Sequence, residues 1–229
     1  RVKDNTTVTL PGGAKLAHMF DGYASLESCN LTNLETINVT SMESMFQGCT
    51  ALADLAIDQL DTGNVTTMAH MFDNCQALES LDLTSFDTAG VTDMRSMFNQ
   101  CTELQSLTLF DTEARTGFNT AKVTNMNSMF KLCTNLTSLT GTNFITTNVT
   151  DMGAMFANCA KLSDINLTDP NNKDVFNTAK VTDMSSMFAG CSSATGIGIG
   201  GFDTAEVTTM NAMFDGCSAA TSLDLSSFD

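Results

Sequence analysis

A unit of 26 residues copied down the chain leaves few folds open to it. Seven cysteines (Cys49, Cys75, Cys101, Cys133, Cys159, Cys191 and Cys217) sit in one short motif, at successive gaps of 26, 26, 32, 26, 32 and 26. Tyr23 takes the same place one period earlier, giving eight units, and each 32-residue unit is the basic one with six residues inserted. All 15 Met fall on the template. A unit this short cannot bury its own apolar stripe, whereas stacked copies share one continuous core.

Within a unit, Val91, Met94, Met97 and Phe98 recur at spacings of three, six and seven, which predicts one face of a short helix. Thr92 stands where an N-cap belongs. Two residues after the Phe come Gly22, Gly48, Asn74, Asn158, Gly190 or Gly216, residue types that accept the left-handed conformation ending a helix. Gln100 and Leu132 depart from that rule. Cys101, Leu104, Leu107 and Leu109 follow, and the last Leu-x-Leu alternates as a short strand with both leucines inward. The expected fold is an α/β solenoid, with a single parallel sheet on a concave side and short helices on a convex side. Residues 1–15 read as a lead-in or partial cap and 16–229 as the solenoid. The insertions lie near 110–115 and 169–174.

The motif Leu223-Asp224-Leu225-Ser226-Ser227-Phe228-Asp229, together with Val181 to Cys191, resembles the BspA-type leucine-rich-repeat surface proteins of bacteria. The resemblance spans roughly residues 16 to 229. It implies a leucine-rich-repeat solenoid at the cell surface, in adhesion or host-factor binding, as a segment of a larger anchored protein. It brings no shared catalytic residues. Cys29 stands in place of a strand Leu, Tyr23 in place of the Cys, and Ala194 and Ala220 in place of the first Leu.

A formal charge of −16 with only 10 Lys and Arg repels nucleic acid and anionic membranes. No apolar run approaches the ~18 residues of a membrane span, and no signal-peptide pattern opens the chain. An abrupt start and a close inside a repeat read as a processed or excised form. The last coil, left uncapped, is expected to fray or to associate end to end.

Each residue type with chemical potential has a structural reading beside the functional one. The cysteines form an evenly spaced column aimed at the core, where thiols act as small apolar groups. A disulfide between neighbours is the alternative, and zinc needs convergent ligands that a column does not supply. The methionines read as core filler. Asp61, Asp87 and Asp203 recur at one position, with Asn119 and Asn177 at others and Ile145 breaking the column, and suit Asx-type turns. Asp93, Asp151 and Asp183 suit helix N-termini; calcium held between coils is the alternative for both sets. His18 and His70 should stand exposed before each Met-Phe, far from any nucleophile, so no acid–base constellation assembles. No enzyme activity, cofactor or metal is expected. Sequons such as Asn38-Val-Thr are explained by the Thr cap.

Candidate binding positions are the outward strand residues, with plain solvated surface as the alternative, and the insertions, with tolerated loop variation as the alternative. Asp82, Thr84, Asp164 and Asn166 represent the first; Phe110, Glu113, Arg115, Asn171, Asn172 and Lys173 the second. Insertions in repeat proteins emerge on one face, often the binding face. The expected partner is a host extracellular protein or a glycan, and the alternative role is a spacer or stalk within a larger surface protein.

Overall fold

The computed structural model describes residues 8–111, 116–139, 144–167 and 175–229. Over these the chain winds as a parallel β-solenoid, one coil per repeat, with equivalent side chains stacked in columns. From the second coil to the seventh, the Val, both Met, the Phe and the Cys of each unit are at most 1% exposed. Shared burial across coils is what the repeat itself required. The backbone that achieves it differs from the expected one.

The short helices do not form: no helix occurs among the described residues. Each Met-x-x-Met-Phe segment is instead a run of overlapping turns. In the second coil the Met45, Gln47 and Cys49 N–H groups donate to Met42, Ser44 and Phe46 carbonyls at 3.1–3.2 Å. The alternate N–H groups, of Ser44, Phe46 and Gly48, leave the coil and donate to Ala69, Met71 and Asp73 of the next at 2.8–2.9 Å. Ser44 has φ 54° and Gly48 φ 72°, each at the third position of its turn, as in type II geometry. An α-helix would consume those alternate donors internally.

Spacing explains why the turns prevail. Packed helices need about 8–10 Å between axes. Here the phenyl rings of Phe20, Phe46, Phe72, Phe98, Phe130, Phe156, Phe188 and Phe214 stack at 5.3–5.8 Å, with planes 3–9° apart. No helical side can repeat at that interval. A period of three to four apolar residues fits a chain of three-residue turns as well as a helix.

The single sheet is also replaced. Leu-x-Leu segments pair in separate parallel couples: Ser28–Asn30 with Asp54–Ala56, Ser80–Asp82 with Ser106–Thr108, and Asp164–Asn166 with Gly196–Gly198. The unbroken ladder lies at the Val-Thr corner, where parallel bridges link Ser41, Thr67, Asp93, Asn125, Asp151, Asp183 and Thr209 in succession. Among the described residues there is therefore no helical layer opposite a sheet. The first insertion opens from an antiparallel pair, Phe110–Asp111 with Thr116–Gly117.

A buried hydroxyl column crosses the core beside this ladder. Thr36, Thr62, Thr88, Thr120, Thr146, Thr178 and Thr204 are 0–4% exposed. The first six donate Oγ1 to a backbone carbonyl of the following coil at 2.7–2.9 Å. A buried hydroxyl without a partner would cost about 1–3 kcal/mol, so this column ties each coil to the next in a fixed register.

Candidate ligand-binding face

The chemically capable side chains are taken up by the fold. All eight cysteines are free thiols. From Cys49 to Cys217 each Sγ donates to the carbonyl of the Phe one coil back, at 3.0–3.2 Å. Burial raises the Cys49 thiol to about 11, and Cys101 and Cys191 to about 12. Cys75, Cys133 and Cys159 are pushed higher for the same reason. Protonated, sequestered thiols neither attack nor bind metal.

The first set of Asp and Asn side chains serves the turns. Asp61, Asp87, Asn119, Asn177 and Asp203 each accept, through Oδ1, the N–H two residues on at 3.0–3.1 Å. The second set does the same rather than capping helices: Asp93, Asp151 and Asp183 accept from Arg95, Gly153 and Ser185 at 2.7–3.0 Å, and the structure adds Asn125, which accepts from Asn127 at 2.9 Å. Among the described residues, no three or more His, Cys, Asp or Glu converge on a point that could hold a metal.

Each histidine has a carboxylate three residues ahead. His18 Nδ1 lies 3.0 Å from Asp21, and His70 Nδ1 lies 2.9 Å from Asp73. Asp73 is 6% exposed and also receives Gln47 Nε2 at 3.1 Å and Asn99 Nδ2 at 2.8 Å. That carboxylate fastens three successive coils. Both histidines are thus engaged by carboxylates of the turn segments, Asp21 and Asp73.

The strand candidates for recognition lie along the Leu-x-Leu edge. Asp82 is exposed there, yet its Oδ1 is already shared by the Thr84 N–H at 2.9 Å and hydroxyl at 2.8 Å. These two residues cap their own turn. Asp164 and Asn166 lie on the strand paired to Gly196 and Gly198, and the next coil continues the edge through Ser222. A shallow depression of about 690 Å³ opens there, with Asp164, Gly196, Gly198, Ser222 and Asp224 among its lining. The glycines lower its floor: a Cβ at Gly196 would meet nothing within 4 Å. Hydrogen bonds from the Ser226 side chain and backbone hold the Asp224 carboxyl below its ordinary value. The signal for this trench is the run Gly196-x-Gly198-x-Gly200, which strips outward side chains from one coil.

Of the insertion candidates, Phe110 contributes backbone to the antiparallel pair. Glu113, Arg115, Asn171, Asn172 and Lys173 lie outside the described residues. No helix among the described residues is long and apolar enough to cross a membrane.

A family described as "Mycoplasma protein of unknown function, DUF285" matches residues 14–117, 108–175 and 164–229. The chain belongs to it. These three matches span nearly the whole DUF285 solenoid described above, from the first coil to the last. None of the curated proteins matches the chain. Among solved structures, a Treponema pallidum leucine-rich-repeat protein is 18% identical, with a TM-score of 0.39, over 93% of this chain and 77% of that one. A Bacteroides ovatus leucine-rich-repeat protein is 16% identical, with a TM-score of 0.45, over 97% of this chain and 64% of that one. A leucine-rich cell surface protein of Faecalibacterium prausnitzii is 18% identical, with a TM-score of 0.30, over 99% of this chain and 88% of that one.

Proposed function

We propose that the chain is a noncatalytic ligand-binding segment of a bacterial surface protein, acting in adhesion to a host extracellular protein or a glycan. The observation that carries this reading is the trench between Asp164 and Asp224, floored by glycine backbone. Bare peptide planes let a flat polyhydroxylated ring or an extended peptide approach closely, and flanking carboxylates accept its hydroxyl or basic donors. The extracellular setting and the adhesive role rest on the resemblance of Leu223 to Asp229 and Val181 to Cys191 to the BspA-type motif. The insertions that carry Glu113, Arg115, Asn171, Asn172 and Lys173 are further proposed contacts.

A second reading, a spacer that holds another domain away from the cell, is favoured by a different observation. The phenyl column runs without interruption through eight coils, as a stiff connector requires. The two separate in a panel of extracellular-matrix proteins and glycans. Saturable binding, lost in Gly198→Val or Asp164→Asn while Tm is unchanged, supports the adhesin. Absence of binding across the panel leaves the spacer.

A further inference from the structure

We propose that the trench between Asp164 and Asp224 takes an extended peptide bearing two arginines. This rests on the surface-binding reading and narrows its partner to a basic protein segment. The trench lies on the flank of the solenoid, on the parallel pairing of Asp164–Asn166 with Gly196–Gly198, continued by the bridge from Gly196 to Ser222. In such a pairing the N–H and C=O groups are directed from strand to strand, here from coil to coil. Ile165 and Ile197 are 1% and 6% exposed and point into the core, so Gly196 and Gly198 are outward positions. They present the flat faces of peptide planes, while their donors and acceptors serve the neighbouring coils. A peptide that binds by adding a strand has no partner on such a floor. Recognition falls to planar stacking on the floor and to side chains on the rim.

The rim is anionic. Asp164 and Asp224 are exposed, and no Lys or Arg lines the trench. Neither carboxylate enters an ion pair among the described residues. The Asp224 Oδ2 atom lies 3.2 Å from where a Cβ of Gly200 would stand, so this carboxylate leans over the glycine run. Its other oxygen accepts the Ser226 N–H at 3.0 Å, which helps to keep the group ionised.

A guanidinium meets both demands. It is planar and weakly hydrated, so it can lie on peptide planes, and its edge carries donors that match a carboxylate. A lysine ammonium is a strongly hydrated point charge with no face to stack. A neutral sugar ring donates hydroxyls but brings no charge to offset two carboxylates on a chain of net charge −16. Spacing sets the number of arginines. Asp164 and Ser222 stand two coils apart, about 10 Å, and Asp224 lies two residues further, about 7 Å along the strand. The two aspartates thus face each other diagonally over roughly 12 Å. Two arginines four residues apart in an extended chain emerge on one side about 13 Å from each other.

The test titrates the 229-residue chain with a capped Ser-Thr peptide carrying two arginines four residues apart, with its lysine counterpart, and with a panel of neutral glycans. The arginine peptide should bind saturably, more tightly than the lysine peptide, and more weakly as salt rises. Asp164→Asn should weaken it about fivefold. Gly196→Val should abolish binding at unchanged Tm, because a Cβ there meets nothing within 4 Å and the side chain fills the trench. Glu206→Gln, which removes the same charge from an exposed position outside the trench, should leave affinity unchanged. Equal affinity for the lysine peptide overturns the proposal, as does binding that survives Gly196→Val. A neutral glycan bound in preference, and lost in Gly196→Val, overturns it but keeps the surface-binding reading. Absence of Gly196-dependent binding for every probe removes both.

Discussion

Replacing Ala154 with Gly distinguishes the turn-built coil from a helix-built one by the sign of the change. Ala154 has φ 53° and is half-buried; Ala212, at the same template position, has φ 55° and is exposed. A left-handed backbone costs a residue with a Cβ about 1–2 kcal/mol, and glycine relieves it. Against that relief, glycine gains unfolded-state freedom worth about 0.4–1 kcal/mol, and a half-buried methyl loses part of its ~0.8 kcal/mol. The net expectation is a gain of roughly 0.5 kcal/mol at each site, larger at Ala212, where no burial is lost. Were the segment helical, the same change would cost about 1 kcal/mol. Urea unfolding of each single variant and of the pair reads the difference, as a shift of midpoint at unchanged slope. A drop of about 1 kcal/mol at both sites would refute the turn geometry.

Other measurements test the remaining arguments. Raising pH should destabilise the chain: an unfolded thiol ionises near 9.0, whereas Cys101 and Cys191 hold their protons to about 12. Each such thiol's stabilisation is complete below pH 9, and above it erodes by about 1.4 kcal/mol per pH unit; a melting temperature flat from pH 8 to 11 would contradict this. Eight thiols should titrate in denaturant without reductant, and those between Cys49 and Cys191 should react slowly in the native state. Thr178→Val removes a hydroxyl that donates to the Asp203 carbonyl and accepts its N–H, both at 2.8 Å. It should cost about 1–3 kcal/mol, and a neutral result would show that the hydroxyl column does not hold the register. Calcium should leave Tm unchanged, because the Asp columns already spend their carboxylates on backbone N–H groups.

The two levels of description separate cleanly in this chain. Periodic Val, Met, Phe, Cys and Leu were sufficient to specify a stacked array and to name its core residues, because one face shared by all copies admits no other burial. The Asx role of Asp61, Asp87 and Asp203 was equally legible, being a bond to a residue two places away. Backbone form was not. Val39, Met42, Met45 and Phe46 suit a helix and a run of turns alike, and nothing within one unit chooses between them. The choice is made between coils: phenyl rings at 5.3–5.8 Å exclude helices, and alternate N–H groups that find acceptors in the next coil offset left-handed Ser44, Ala154 and even Leu132 at φ 62°. The buried threonines were missed for the same reason, since their partners lie one coil away. The trench stood in the Gly-x-Gly-x-Gly run only as missing side chains, and became a shape once Asp164 and Asp224 flanked it. Local pattern decides which residues are inside; the distance between neighbouring coils decides how the backbone gets them there.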